Sequence, residues 1–391
     1  MLVYFVLLQY LAWAAAQINF TNPIIWQDLP DIDLIRHGDA YYYSASTFQF
    51  SPGAVILRSY DLVNWKYLSH SVPSLEFGNT EGFDLSTDTF YWGGCIVGDW
   101  KTYIYTAPAV EGPWTQSSVI GICLYDAGML IDEDDTMYVA HDNTSISVAQ
   151  LSDDGLRVDD DGWPHVDFVD GQWSSSYPYP LPEHPVKPIT GTDKFETLGP
   201  QYQWNHNPDN SAWAINNGLE LHTATVTDDF FRAGNTLTHR ILGPQSTLTV
   251  ELDHSRMADG DRAGVVLFRY AAAWIGIIKS GNSTRVAMVN NILMIPDDGW
   301  HTVNKGDEIA SVEVSGGIVW LRLEVGVNSF YNQEGRFSYS TDGVNFEPLG
   351  EPHEEIDRGI LHFMGYRYGV FNYATLARGG AVTVKSLSIH E

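Results

Sequence analysis

The sequence predicts an all-β protein in which propeller-like sheets are followed by an antiparallel β-sandwich. Short aromatic strands recur at even spacing in the first half, and no helical period is visible there. Longer strands with alternating apolar and polar residues fill the second half, which is typical of a sandwich. A Pro-rich stretch, residues 178–188, separates the two halves and is the natural domain boundary.

The first hairpin is predicted from the segment 31–43. Asp31 precedes a short apolar run at residues 34–35, which stops at a Gly-Asp turn and resumes as three tyrosines at 41–43. Two strands joined by such a turn form a hairpin. Asp31 is therefore expected at the entrance of a first strand, where loops and functional sites collect.

A second carboxylate occupies an equivalent position in a later repeat. The pattern of a turn followed by an aromatic strand recurs at residues 87–91, 99–103 and 134–138. Asp126 precedes Asp135, in the last of these turns, by 9 residues, much as Asp31 precedes Asp39 of the Gly-Asp turn by 8. Because the first strand of each propeller blade lines the central axis, the two acids are expected to converge there and to raise each other's pKa. The alternative is that both acids only cap turns in a very acidic chain.

The charge of the chain argues against several classes of partner. The 391 residues carry a formal net charge of −28, from 49 acidic and 21 basic residues. This field repels phosphate backbones and anionic membranes, so neither nucleic-acid nor membrane binding is expected. Aromatic residues make up 13% of the sequence and suit surfaces that stack on sugar rings. The His, Cys and Asp residues show no convincing metal spacing, so no metal or cofactor is predicted.

Export from the cell is expected from the first residues. Residues 1–16 are apolar, too short to span a bilayer and end in small residues, as in a secretory signal peptide; the alternative is an N-terminal core strand. In an oxidising compartment the two cysteines, Cys95 and Cys123, can pair if their geometry permits. Three N-glycosylation sequons fit a secreted, extracellular protein, and they begin at Asn19, Asn143 and Asn282.

A family resemblance is carried by three segments: PDIDLIRHGDAYYYSAS at 30–46, SPGAVILRSYDLVNW at 51–65 and YDAGMLIDEDDTMYVA at 125–140. Together they resemble the opening blades of glycoside hydrolase family 43, which contains β-xylosidases and α-L-arabinofuranosidases acting on plant cell-wall xylan and arabinan. The resemblance implies a five-bladed β-propeller with the active site at its axis. It also implies a plant cell-wall polysaccharide or oligosaccharide, xylan or arabinoxylan, as the partner.

The same resemblance assigns roles to individual residues. Asp31 is implied to be the general base that activates water, and Asp126 the auxiliary acid that tunes the proton donor and orients the sugar. Phe48 and Trp92 are implied to contact the substrate. Family members often have Asp-Pro where this chain has Asp-Ile, and Asp33 is a weaker competitor for the base. Family 43 enzymes invert the configuration at the anomeric carbon. Inversion requires two carboxyl groups ~6.5–9.5 Å apart, with room for a water between one of them and the sugar.

The resemblance breaks where the proton donor is expected. Family members take a Glu from the third blade, whereas this chain passes from residue 158 to a segment, 161–171, that resembles the propeller exit. Glu111 matches the expected Glu-Gly-Pro motif in letters but precedes the second acid at an outer-strand turn, and Glu183 lies in the Pro-rich exit. We therefore expect an incomplete five-bladed propeller over residues 17–188. A positioned acid contributes ~10²–10⁴-fold in rate, so the alternatives are a feeble enzyme, a non-catalytic carbohydrate-binding remnant or a truncated gene product.

The second half, residues 189–391, is expected to form a concanavalin-like or jelly-roll-like antiparallel β-sandwich. The run at 199–208 and the hairpin at 338–343 resemble the domain that follows the propeller in β-xylosidase-type members of family 43. In relatives this domain can close one side of the sugar pocket, so Trp204 and Phe330 are candidates to reach sugar. The alternative is that these aromatic residues pack in the core.

Overall fold

The computed structural model describes residues 19–76, 101–121, 123–131, 137–141, 147–150, 176–295, 301–327, 333–354 and 364–391. Within these ranges the chain is all β apart from one short 3₁₀ turn, Phe230–Arg232, which confirms the predicted fold class. Over the same ranges, no helix is long and apolar enough to cross a membrane. The predicted signal peptide at 1–16 and the exit segment at 161–171 lie outside the described residues.

The strands divide between the two halves of the chain. Those of the first half are β1 (Asn19–Thr21), β2 (Asp33–His37), β3 (Ala40–Ala45), β4 (Phe50–Ser51), β5 (Gly53–Ser59), β6 (Lys66–Val72), β7 (Thr102–Thr106), β8 (Thr115–Ile120), β9 (Gly128–Ile131), β10 (Met137–His141), β11 (Ser147–Gln150) and β12 (Ser176–Pro178). Those of the second half are β13 (Gly191–Asp193), β14 (Tyr202–Asn205), β15 (Trp213–Ile215), β16 (Leu219–His222), β17 (Leu237–Arg240), β18 (Gln245–Asp253), β19 (Asp261–Phe268), β20 (Ala271–Ser280), β21 (Ser283–Ile295), β22 (His301–Glu313), β23 (Ile318–Gly326), β24 (Glu334–Ser340), β25 (Glu347–Pro348), β26 (His353–Glu354), β27 (Arg367–Ala374) and β28 (Ala381–His390).

The described part of the first half forms separate small antiparallel sheets, as propeller blades do. They are a four-stranded sheet in the order β2-β3-β5-β6, a hairpin of β7 and β8, and a three-stranded sheet in the order β11-β10-β9. β1 pairs with β12, with Asn19 opposite Pro178, so the two ends of this half are joined by backbone hydrogen bonds. The arrangement agrees with a propeller that has fewer than five blades in the described ranges.

The first sheet forms because its strands bury apolar side chains against one another. In β5, Val55 and Leu57 are buried on one face, and Leu57 lies opposite Tyr43 of β3. These residues join Leu29 and Tyr67 in a small core. Fully burying an apolar side chain of this size contributes about 1.5–3 kcal/mol, so the core stabilises this sheet locally.

Two large antiparallel sheets stack to form the second half, as the sequence predicts. One has the order β15-β16-β28-β18-β23-β24-β25, with β13 beside β28 and β26 beside β24; the other has the order β22-β21-β20-β19-β27-β17-β14-β4. Leu248, Val250 and Leu252 alternate with less buried polar residues along β18 and share one core with Ile275 and Ile277 of β20. This alternation explains why the strands form a sandwich.

Two glycines allow β19 and β20 to approach closely in the second sheet. Gly264 lies directly opposite Gly276 in the register. A Cβ added at Gly264 would lie 2.3 Å from the carbonyl oxygen of Ile275, a distance that side chains do not tolerate. The small residues are therefore required by packing at this point of the sheet.

The domain boundary in the sequence is crossed by a strand in space. β4 belongs to the first half but pairs with β14 at the edge of the eight-stranded sheet, with Ser51 opposite Trp204 and Phe50 opposite Asn205. The Phe50 ring packs edge-on against Phe268 of β19, with centroids 6.1 Å apart. The first half therefore contributes both a strand and an aromatic side chain to the sandwich, a contact that the local sequence pattern does not predict.

The Pro-rich connector is held against the first sheet by an aspartate. Asp61 Oδ2 accepts a hydrogen bond of 2.7 Å from the backbone N–H of His184. Asn64 Nδ2 donates to the same oxygen and also lies 3.4 Å from the Tyr179 hydroxyl. Burial of Asp61 raises its pKa, but its hydrogen bonds from Asn64, His184 and Val63 outweigh that effect and lower the pKa overall.

Candidate active site

Asp31 and Asp126 have the same structural setting. Asp31 lies two residues before β2, the first strand of the four-stranded sheet, and Asp126 lies two residues before β9, the first strand of the three-stranded sheet. Both residues are exposed, and both backbones are left-handed, with φ of 55° and 48°. Asp adopts this conformation more readily than most residues. The two acids thus occupy equivalent positions in two sheets, and their catalytic roles stay predictions.

The strand that follows Asp31 is open to solvent. Every residue of β2 is exposed, and Leu34 and Ile35 are 48% and 45% exposed. Among the described strands β2 pairs with β3 alone, which makes β2 the edge strand of its sheet. Successive side chains of a strand point to opposite faces, so both faces of β2 are accessible. The strand that follows Asp31 is therefore open to solvent on both faces.

The residues directly before Asp31, here called the lead segment (residues 26–30), are anchored one by one. Two residues of the sandwich bind Trp26 and Asp28 of this segment. The backbone N–H of Gly243 donates to the Trp26 carbonyl at 3.0 Å, and Arg240 Nε donates to the Asp28 carbonyl at 2.6 Å. A short, charge-assisted hydrogen bond to a buried carbonyl is among the stronger contacts that a protein makes.

The first sheet holds the rest of the lead segment. The Tyr67 hydroxyl donates to Gln27 Oε1 at 3.0 Å, and the Tyr43 hydroxyl donates to the Leu29 carbonyl at 2.7 Å. The backbone N–H of Ser46 donates to the carbonyl of residue 30 at 3.0 Å. Because all five residues of the lead segment accept a hydrogen bond, the backbone entering Asp31 is fixed by both halves of the molecule.

Two buried arginines dominate the electrostatics at this junction. Arg240 and Arg367 are each 1% exposed. Burial, reinforced by these two positive charges, lowers the pKa of His70 to about 3. Burial also lowers the pKa of His239 to about 4 and raises that of Tyr67. His70, His239 and Tyr67 are therefore neutral near pH ~7 and supply no negative charge to the arginines.

Sequence reasoning missed these arginines, although each leaves a signal in the sequence. Arg240 ends a strand whose every residue is buried, and Arg367 is flanked by two tyrosines at the start of another fully buried strand. A charged residue inside an otherwise buried strand is rare unless it is paired. That rule singles out both arginines in the sequence, but it does not predict that they contact Asp28 of the lead segment.

Two family models match the chain in tandem. Residues 20–185 match the model of glycosyl hydrolases family 43, and residues 192–389 match that of the beta xylosidase C-terminal concanavalin A-like domain. A solved family 43 glycoside hydrolase, engineered to display both endo-xylanase and exo-arabinofuranosidase activity, superposes with a TM-score of 0.86 at 31% identity, covering 95% of this chain and 100% of that chain. The chain belongs to glycoside hydrolase family 43.

Curated relatives named as a xylosidase and an arabinofuranosidase match about a third of the chain. A xylan 1,3-beta-xylosidase of Vibrio is 31% identical over 137 residues, which are 30% of this chain and 26% of the relative. A non-reducing end alpha-L-arabinofuranosidase of Bacteroides ovatus is 30% identical over 145 residues, 33% of this chain and 27% of the relative. The chain thus spans about a quarter of the length of the curated relatives that it matches. A family 43 protein from Bacillus licheniformis shares the fold, with a TM-score of 0.72 at 19% identity, covering 95% of this chain and 99% of that chain.

The two glutamates considered for the proton donor, Glu111 and Glu183, do not share the position of Asp31 and Asp126 at the start of a sheet. Glu111 lies in the turn between β7 and β8, has a side chain that is 54% exposed and pairs with Arg58 at 3.3 Å. Glu183 is exposed in the connector. Neither precedes the first strand of a sheet in the first half, as Asp31 and Asp126 do.

The aromatic residues considered for sugar contact have mixed outcomes. Phe48 is 7% exposed and packs in the aromatic cluster that contains Phe50 and Phe268, so its contact with substrate stays a prediction. Trp92 and Phe330 lie outside the described residues. Trp204 is buried against Trp213, with ring centroids 5.2 Å apart, which confirms the packing alternative for this residue.

Of the two cysteines in the sequence, Cys123 lies in the described residues and is disulfide-bonded, whereas Cys95 lies outside them. In the part of the chain that the structure describes, no group of His, Cys, Asp and Glu residues could hold a metal ion.

Proposed function

We propose that this family 43 chain is a secreted glycosidase that removes xylosyl or arabinofuranosyl groups from xylan-derived sugars. The observation that carries the proposal is the shared setting of Asp31 and Asp126, each exposed and left-handed at the entrance of a sheet, within a chain of this family. The xylosidase and arabinofuranosidase names of the curated relatives support the substrate class. Plant cell-wall xylan or arabinoxylan is the partner.

The proposed chemistry is an inverting hydrolysis. The carboxylate of Asp31 takes a proton from water, and that water attacks the anomeric carbon on the face opposite the leaving group. The bond from the anomeric carbon to the leaving oxygen breaks in the same step, and the leaving oxygen takes its proton from solvent. Asp126, at the start of the three-stranded sheet, orients the sugar. The hydrogen-bonded lead segment fixes the position of Asp31. This matters for the rate, because a general base that is displaced from the attacking water catalyses less well.

A second candidate is a carbohydrate-binding protein that hydrolyses nothing, and a specific observation favours it. Between Asp126 and the end of the connector the sequence holds two glutamates, Glu133 and Glu183, and neither is followed by Gly-Pro or Gly-Ser. Without a positioned acid, the leaving oxygen departs unprotonated and the rate falls by ~10²–10⁴-fold. Sugar binding by the remaining carboxylates and aromatic residues does not require that acid.

Hydrolysis of aryl β-D-xyloside and aryl α-L-arabinofuranoside tests the enzyme proposal. We expect Asp31→Asn to lower kcat/KM by ~10²–10⁴-fold, as removal of a general base does. Asn tolerates the left-handed backbone of residue 31, so this variant removes the charge without adding strain. Asp39→Asn is the matched control, because Asp39 is exposed in the turn at the far end of the same hairpin.

Three outcomes separate the candidates. A wild-type rate above background that only Asp31→Asn removes supports the glycosidase. A rate above background that Asp31→Asn leaves unchanged rejects Asp31 as the base. A wild-type rate equal to background rejects the enzyme, and retention of the wild-type chain on insoluble xylan then decides whether it binds carbohydrate.

Secretion is part of the proposal and has its own test. The apolar residues 1–16 and the disulfide at Cys123 support it, because disulfides persist in oxidising compartments. We expect the protein in the culture medium of its host, with a mature N-terminus at Gln17. Full-length chain retained inside the cell, beginning at Met1, contradicts this expectation.

A further inference from the structure

Two positive charges face each other in the buried junction between the two halves. Arg240 of β17 lies directly opposite Arg367 of β27 in the antiparallel register. Both side chains are almost completely buried, at 1% exposure each. Like charges directly opposite each other in a sheet are destabilising, and charges out of water require a partner.

The described neighbours supply too little negative charge. Asp28 is the carboxylate beside the pair, and its Oδ2 lies 3.8 Å from Arg367 Nη2, an ion pair that is too long for a hydrogen bond. The Tyr67 hydroxyl lies close enough to the Arg240 guanidinium to lower the Tyr67 pKa by charge and hydrogen bonding, against the larger effect of burial, but the contact is too poorly aligned to satisfy Arg240 Nη1 or Nη2. Burial raises the pKa of Tyr67, so its phenol stays neutral. One carboxylate therefore faces two guanidinium groups.

Several donors of the pair are unsatisfied. Arg240 uses Nε for the Asp28 carbonyl, while its Nη1 and Nη2 have no hydrogen-bond partner. Arg367 uses Nη1 for Gln203 Oε1 at 2.9 Å, and its guanidinium lies 3.5 Å from the centroid of the Phe50 ring, while its Nε has no partner. Buried donors without a partner are rare in native proteins and mark a missing acceptor.

We propose that Arg240 and Arg367 bind a small monovalent inorganic anion of the size of chloride between the two halves of the molecule. Such an anion neutralises the excess charge and accepts hydrogen bonds from the unsatisfied guanidinium nitrogens. A cavity of about 270 Å³ is lined by Asp28 and by Ile241 and Tyr366, the sequence neighbours of the two arginines, so solvent reaches the edge of the junction. The site joins the sandwich to the lead segment and does not depend on glycosidase activity.

Thermal unfolding of the whole chain tests the site with chloride as the probe. Sodium chloride replaces sodium gluconate in steps at constant ionic strength, so that general screening does not change. We expect the Tm of the wild type to rise with chloride and then to saturate, because an anion that binds the native state alone stabilises it by mass action. A Tm that does not depend on chloride overturns the proposal.

Matched arginine variants locate the effect. Arg240→Met removes one guanidinium and is expected to abolish the chloride dependence of the Tm. Arg336→Met is the control, because Arg336 is an exposed arginine of the sandwich that pairs with Glu334 at the surface; this variant is expected to keep the full dependence. An equal chloride effect in both variants overturns the proposal.

A direct measurement on the wild type keeps the proposal falsifiable if Arg240→Met does not fold. Crystals of the whole chain grown in bromide are examined for anomalous scattering. We expect one peak within contact distance of both guanidinium groups. Density for water alone at this position, with no anomalous signal, rejects the anion.

Discussion

The contact between the two halves is open to a quantitative test at Phe50. This side chain belongs to the first half by sequence, yet it is 2% exposed inside the aromatic cluster of the sandwich. Its ring packs against Phe268 and lies beneath the Arg367 guanidinium. Phe50→Ala removes all of these contacts while leaving the backbone pairing of β4 with β14 possible.

The expected loss follows from two contributions. Truncating a buried Phe to Ala costs about 3–5 kcal/mol, because apolar burial is lost and a cavity remains. The stacked Arg367 cation adds about 0.5–2 kcal/mol, near the upper end when the pair is desolvated. We therefore expect Phe50→Ala to lower the free energy of unfolding by roughly 4–7 kcal/mol in total.

Urea unfolding followed by tryptophan fluorescence measures this loss, and Phe346→Ala is the control. Phe346 has a comparable stack, with the Arg322 guanidinium 3.4 Å from its ring centroid, but it is only partly buried and lies on the sandwich away from β4. We expect the control to lose roughly 1 kcal/mol. A Phe50→Ala variant no less stable than the control would refute the conclusion that β4 holds the two halves together.

Three further predictions concern stability. Lowering the pH from about 7 to about 4 should destabilise the fold by roughly 3 kcal/mol through His70, because its lowered pKa means that the unfolded chain binds the extra proton; His70→Gln should flatten this pH dependence in urea unfolding. Asp61→Ala should cost about 2–3 kcal/mol and speed proteolysis of the connector, whereas Asp342→Ala, in a similar turn of the sandwich, should leave the connector protected. Gly264→Ala should cost at least about 3 kcal/mol by calorimetry, whereas Gly121→Ala, with open space around it, should be nearly neutral.

Much of the local structure follows from the sequence. The predicted hairpin forms between β2 and β3, with Leu34 opposite Tyr43, around the Gly-Asp turn. The alternating residues of β18 form a sandwich strand as expected. These predictions succeed because strand periodicity and turn residues are local signals that the chain expresses wherever it folds.

The contacts that position the candidate site depend on register between distant segments. Arg240 donates to the carbonyl of Asp28, 212 residues earlier in the sequence. The sequence around Arg240 does not predict a contact with Asp28, and the sequence around Asp28 does not predict one with Arg240. β4 is only two residues long, too short for its alternation to be recognised in a sequence. Phe48, two residues before β4, packs in the aromatic cluster with Phe50 and Phe268, and the predicted contact of Phe48 with sugar stays a prediction.

The hydrogen bonds to the lead segment show which parts of the chain position Asp31. Its five hydrogen bonds come from two sources only: the first sheet and its loop, through Tyr43, Ser46 and Tyr67, and the sandwich, through Arg240 and Gly243. The later sheets contribute none of these five, so the absence of later blades does not by itself displace Asp31. The resemblance to family 43 implies a proton donor on a later blade, and none of these five hydrogen bonds involves such a blade. The position of the proposed base therefore does not depend on the proposed acid, which is why Asp31→Asn and xylan retention have to be measured side by side.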